Sequence, residues 1–229
     1  MTIEDSVFTC LSLLNTLPHL HSLSLCRGSM SNASMEMICR SSVASQLTKL
    51  SVIYVTSLSL EPYHLIVHSF SRLKSLEIEI SFGYVFHPYR PNASELRDHI
   101  RNIVQWLDEL FSTQCVFADT VETMHLAISN NPSHCLDWTV TENASFANEL
   151  FHDHMLKHWH FPFPALQSFT MTWRINHHLM NDLMVRRLLN CTKLHSIELD
   201  LWKTESRIQH QVMNIKNRPE VIRQMREGY

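Results

Sequence analysis

The sequence predicts an α/β solenoid, a row of short parallel strands alternating with helices, in a single domain spanning residues 1–229. Three observations predict it. A short apolar phrase recurs along the chain. The segments between its copies carry helical periodicity, and no shift of composition marks off a second domain.

The phrase first reads Leu17-Pro-His-Leu20-His-Ser-Leu23-Ser-Leu25 and returns as Leu47-Thr-Lys-Leu50-Ser-Val-Ile53-Tyr-Val55. It follows as Phe70-Ser-Arg-Leu73-Lys-Ser-Leu76-Glu-Ile78 and as the weaker Val121-Glu-Thr-Met124-His-Leu126. The last copies are Phe163-Pro-Ala-Leu166-Gln-Ser-Phe169-Thr-Met171 and Cys191-Thr-Lys-Leu194-His-Ser-Ile197-Glu-Leu199. Each fits L-x-x-L-x-L with apolar substitutes, starting from Leu20, Leu50, Leu73, Val121, Leu166 and Leu194. Apolar residues two apart point to the same side of a strand, so the last two of each copy face inward, while the earlier one anchors the entering turn. This pattern is the strand signature of leucine-rich repeats. The expected fold is a leucine-rich-repeat solenoid of about six irregular repeats, with strands on the concave face and helices on the convex face.

Regular repeats of this kind span roughly 20–29 residues. The interval from Leu73 to Val121 and that from Val121 to Leu166 are longer, and each contains a helix-like segment. Ser94 opens the first, with Leu96, Ile100, Ile103, Val104, Leu107 and Leu110 at helical spacing. Ser145 opens the second, with Phe146, Leu150, Phe151 and Met155 on one face. Shorter helices are expected over Ile3–Asn15, Ser34–Ser45, Glu61–Phe70 and His178–Leu189. Loops are expected over Phe82–Asn92 and Asn130–Asn143. Helices over Glu205–Ile215 and Pro219–Arg226, within residues 203–229, would cap the C-terminal end. The N-terminal helix carries Val7, Phe8, Leu11 and Leu14, making it a poor polar cap and predicting an exposed apolar end or a missing upstream segment.

A formal net charge of -3 supplies no basic footprint for displacing counterions from DNA or RNA, so no nucleic-acid partner is expected. No apolar run approaches the roughly 20 residues that span a bilayer, and no membrane partner is expected. The start, Met1-Thr-Ile-Glu4-Asp5, is acidic and lacks the basic region of a secretion signal. Cys10, Cys26, Cys39, Cys115, Cys135 and Cys191 are scattered without a C-x-x-C pair, as free thiols in a reducing compartment would be. The expected location is intracellular, in cytoplasm or nucleus. Four N-x-S/T sequons occur at Asn32, Asn92, Asn143 and Asn190, and in three of them Ser34, Ser94 and Ser145 read as helix N-caps.

The repeated phrases resemble the leucine-rich-repeat region of F-box proteins, particularly the irregular repeats of fungal and plant members, over roughly Phe8 to Trp202. The resemblance implies a protein that binds a target on its repeats, as the substrate-recognition part of a ubiquitin-ligase adaptor. Ligase subunits would be partners only if an F-box is supplied elsewhere. Leu17-Pro18-His19-Leu20 lacks the glutamate of an F-box opening. Gly28, Leu58, Ser81, Ser129, Arg174 and Trp202 stand where regular repeats carry Asn or Cys.

Residues flanking the inward pairs form three columns on the other face of the sheet. They read Ser22, Val52, Ser75, Thr123, Ser168, Ser196; then Ser24, Tyr54, Glu77, His125, Thr170, Glu198; then Cys26, Thr56, Glu79, Ala127, Thr172, Asp200. The variable positions mark a protein-binding surface of Tyr54, Glu77, Glu79, His125, Thr170, Thr172, Glu198 and Asp200. The acidic pairs Glu77/Glu79 and Glu198/Asp200 fit a basic segment of a partner, and Tyr54 would be an aromatic anchor. The plain alternative is that these charges only solvate an exposed sheet.

Sixteen histidines invite a rival reading as a histidine-based metal enzyme. His64/His68 and His154/His158 have helical i, i+4 spacing, and two helix-borne histidines could share a zinc ion if a third ligand converged and an open position remained, but no H-E-x-x-H is present. No G-x-S-x-G elbow occurs, and the three glycines, Gly28, Gly83 and Gly228, rule out phosphate-cradling loops. Asp108 and Glu109 read as carboxylates on a solvated helix face. Cys115 and Cys135 lack a cluster that would lower a thiol pKa. The run from His158 to Pro164 reads as a helix terminator, or else as an exposed recognition loop. The expectation is a non-catalytic interaction module with no catalytic residues, no cofactor and no metal. A truncated repeat protein without independent function is the remaining alternative.

Overall fold

Period-two alternation of apolar and polar residues makes a strand wherever one face can be buried. The computed structural model describes residues 17, 19–29, 32–56, 60–81, 93–129, 141–173, 184, 186–201 and 211–215. Every expected phrase in it is a strand: β1 (Ser22–Ser29), β2 (Lys49–Thr56), β3 (Ser75–Ser81), β4 (Thr123–Ser129), β5 (Ser168–Trp173) and β6 (Ser196–Leu201). These six are parallel and lie in sequence order. Helices α1 (Asn32–Arg40), α2 (Glu61–Ser69), α3 (Ala93–Leu110) and α4 (Thr141–Lys157) connect them, each packed against the next. The result is an α/β layer compatible with a solenoid.

One face of the sheet holds the core. Leu50, Val52, Leu76, Ile78, Met124, Leu126, Phe169, Met171 and Ile197 are buried against helix residues such as Ile38, Ile66, Ile103, Val104, Leu107 and Met155. Each large apolar side chain so buried stabilises the fold by about 1.5–3 kcal/mol. Strand entry follows a repeating pattern. The carbonyls of His21, Thr48, Lys74, Glu122 and Gln167 each accept two backbone N–H groups from the next repeat, at 2.7–3.1 Å. Just upstream, Leu73 N donates to Phe70 O, Leu166 N to Phe163 O and Leu194 N to Cys191 O, closing the turns that the upstream apolar residues anchor.

The second repeat sits three residues from its expected register. Leu23 pairs with Leu50 and Leu25 with Val52, and Leu50 pairs in turn with Leu76. The inward pair is therefore Leu50/Val52 rather than Ile53/Val55. Val52 belongs to the core, not to the first column. Tyr54 shares the strand parity of Leu50 and Val52, so its register is not that of the opposite face, and its side chain lies outside the described residues. The physical reason is the turn. Leu47 N bonds Val43 O, and the Thr48 carbonyl joins the ladder, which makes Leu47-x-x-Leu50-x-Val52 the working phrase.

Other differences are local. Ser34, Ser94 and Ser145 are not N-caps but lie inside helices that begin at Asn32, Ala93 and Thr141. Alanine, the strongest helix former, precedes each serine and lets the helix start upstream. Helix α1 stops at Arg40, five residues short of expectation, because Ser41 Oγ donates to Ile38 O at 2.6 Å and competes with helix continuation. Residues Gln211–Ile215, expected in a helix, form β7, antiparallel to β6. The unpaired edge of β6 offers a row of backbone partners that an isolated helix would forgo. The expected helices Ile3–Asn15 and Pro219–Arg226, the loop at Phe82–Asn92, and Cys10 and Cys135 fall outside the described residues, as does most of His178–Leu189.

The aromatic side chains of the segment after α4 are packed: Trp159, Phe161 and Phe163 are buried, while His158, His160 and Pro164 between and beside them are exposed. Phe111 of the turn after α3 stacks on Phe161 at 4.3 Å between ring centroids and meets Trp159 at 5.0 Å. Phe161 adopts φ 49°, a costly conformation for a non-glycine residue, and its aromatic neighbours hold it there.

Candidate functional site

The face of the sheet opposite the core is polar, and among the described residues no element covers it. Corrected for the β2 register, one row across the strands reads Ser24, Ser51, Glu77, His125, Thr170 and Glu198. Beside it runs Glu79, Ala127, Thr172 and Asp200. A parallel sheet puts neighbouring strands about 4.8 Å apart, so Glu77 on β3 and Glu198 on β6 stand about 14 Å apart at their backbones. The structure thus brings together Glu77, Glu79, His125, Thr170, Thr172, Glu198 and Asp200, and leaves Tyr54 out. The Asp200 side chain lies outside the described residues.

The row carries charged and hydrogen-bonding groups. Ser51, nearly buried, donates to Glu77 Oε2 at 2.9 Å and orients that carboxylate. His125 is exposed between Glu77 and Thr170, while Glu77, Glu79, Thr170, Thr172 and Glu198 are half-buried. The row at the strand entrances reads Ser22, Lys49, Ser75, Thr123, Ser168 and Ser196, with Lys49 replacing the expected Val52. Lys49 and Ser51 were missed by sequence reasoning, although Leu47-x-x-Leu50-x-Val52 carries the signal that finds them.

A second polar cluster lies in the helical layer. His64 Nδ1 is 2.8 Å and His68 Nε2 3.3 Å from Glu109 Oε2. On the other side of α3, Asp108 Oδ2 lies 2.6 Å from His154 Nδ1, and Asp108 Oδ1 accepts from Trp159 Nε1 at 2.7 Å. Adjacent helix residues diverge by about 100°, so Glu109 turns to α2 and Asp108 to α4. Their side chains are only 23% and 22% exposed, which corrects the expectation of a solvated carboxylate pair. The tertiary neighbours that bury them are invisible in local sequence. Among the described residues no set of three His, Cys, Asp or Glu side chains is placed to hold a metal ion.

Burial favours the protonated form of two described thiols and one phenol. Burial pushes the Cys115 thiol up to about 12, against a weaker opposing hydrogen bond from the Phe117 backbone. Burial also pushes Tyr63 up to about 12, with the charge of Glu79 adding to it. Cys39 is raised for the same first reason. A thiol held protonated is a poor nucleophile.

Comparison with known proteins adds no further assignment: no family model matches the chain, and no curated protein is significantly similar to it.

Proposed function

We propose that this chain is a non-catalytic protein-interaction module, built as a leucine-rich-repeat solenoid, whose open sheet face takes a basic segment of a partner protein. The observation that carries the reading is the row Glu77, His125, Thr170 and Glu198, aligned by strand register on the face away from the helices. The repeat assignment rests on the L-x-x-L-x-L phrases, the sequential parallel strands and the carbonyl ladder at their entrances. By resemblance to F-box proteins, the module serves as the substrate-recognition part of a ubiquitin-ligase adaptor whose F-box is supplied elsewhere. An intracellular location, in cytoplasm or nucleus, fits cysteines such as Cys26, Cys39 and Cys115 that take part in no disulfide. No described helix is long and apolar enough to cross a membrane.

The test is affinity capture from source-cell lysate read by mass spectrometry, comparing wild type with a Glu77→Lys/Glu198→Lys variant of unchanged circular dichroism. A partner recovered by wild type and lost from the variant supports the reading, and ligase subunits in the same eluate support the adaptor role. Equal recovery by both baits would falsify binding through the acidic row.

A further inference from the structure

The C-terminal end of α4 carries a linked set of side chains that recognition on the open face leaves unused. Trp159 Nε1 and His154 Nδ1 bind the two oxygens of Asp108, at 2.7 and 2.6 Å. A carboxylate can only accept, so Nδ1 is the nitrogen that donates to Asp108, and Nε2 is the ring nitrogen that Asp108 does not engage. His158 follows one helical turn later, exposed, with its ring centroid 5.3 Å from that of His154. Two ligand nitrogens bonded at about 2.0–2.1 Å to one ion in tetrahedral geometry stand roughly 3.3 Å apart, a spacing that rings with centroids 5.3 Å apart would reach by turning toward the ion. A ring whose second nitrogen is held by a carboxylate is the usual plan of metal-ligating histidines.

We propose that His154 and His158 form a two-histidine site for a divalent transition-metal ion of the zinc, nickel and copper class, with Asp108 as the positioning residue. Imidazole nitrogen suits these ions, and water completes their coordination because no third protein ligand is in place among the described residues. Lys157, in the same turn of α4, is paired with Asp153 at 2.6 Å, which offsets its repulsion of a cation. The His64/His68 pair is built differently, since His64 Nδ1 and His68 Nε2 both turn toward one oxygen of Glu109. An ion at His154 and His158 would tie the end of α4 to α3 through Asp108.

The test titrates untagged full-length protein with zinc chloride, followed by thermal melting, and with copper sulfate, followed by tryptophan emission. Copper quenches a nearby indole, and Trp159 is joined to His154 through a single carboxylate. The expected result is one tightest site per chain, a raised Tm and quenched emission. His158→Ala should weaken that site at least about tenfold without changing the circular dichroism, and Asp108→Asn should weaken it about 10–100-fold. His64→Ala/His68→Ala should leave it intact. Undiminished binding by a His154→Ala/His158→Ala variant, meaning adventitious binding at other histidines, would overturn the proposal. So would a wild type that shows neither shift nor quenching. If Asp108→Asn fails to fold, His158→Ala decides alone, because His158 is exposed and its loss removes no described side-chain hydrogen bond.

Discussion

Asp108 accepts two hydrogen bonds, from the indole of Trp159 and the imidazole of His154. Trp159 is fully buried, so removing the carboxylate strands its N–H away from water. Asp108→Ala should therefore lower stability by about 1–3 kcal/mol. Glu109→Ala, which severs contacts to the half-buried His64 and the exposed His68 but strands no fully buried donor, should lower it by about 1 kcal/mol or less. Urea denaturation of both variants checks the order, and an equal effect would mean that Asp108 is not the anchor described. Stability should also respond to alkali. Cys115 and Tyr63 lose protons at about 12 in the fold but at 9.0 and 10.0 as ordinary groups. A raised folded pKa means that their contribution is complete below pH 9 and is lost as pH rises from 9 toward 12. The urea midpoint should hold steady up to pH 9 and fall between pH 9 and 11, with the early part of the fall reduced in Cys115→Ala. A flat midpoint through pH 11 would contradict the burial described for both groups.

At the scale of elements, the second strand separates two registers cleanly. Val52 is buried in the core, whereas Ile53 is half-buried on the opposite face. Val52→Asp places an unpaired charge in an apolar interior and should unfold the chain or cost several kcal/mol. Ile53→Asp should be tolerated, and circular dichroism with thermal melting of the pair decides. Tolerance of Val52→Asp with loss of Ile53→Asp would restore the register first expected. The ambiguity has a physical origin. Leu50, Val52, Ile53 and Val55 put apolar residues on both faces of β2, so alternation alone cannot fix which face is buried. Strand β3, with Glu77 and Glu79 between Leu76, Ile78 and Ile80, carried no such ambiguity, and the strand register from β3 to β6 was legible in full. Helix α3 was legible for the same reason, its apolar residues falling on one stripe. Strand β7 was not, because Val212 and Ile215 lie three apart and read as helical, while the partner that makes them a strand is the distant edge of β6. Asp108 and Glu109 were likewise misread, since their environment comes from α2 and α4 rather than from their own turn.

For the whole molecule, sequential strands and a one-sided helical layer divide the work. The core and the carbonyl ladder hold the repeats in line, and the remaining sheet face is left polar across β3 to β6. That polar face is where we propose that a partner binds. The most direct measurement is carboxyl-group footprinting of the chain, free and bound to the captured partner. The predicted result is protection of Glu77 and Glu198 on binding, with Glu36, Asp98 and Asp153, exposed on the helical layer, labelled as before. Protection of the helical carboxylates with Glu77 and Glu198 unchanged would contradict the claim and move the interface to the helical side.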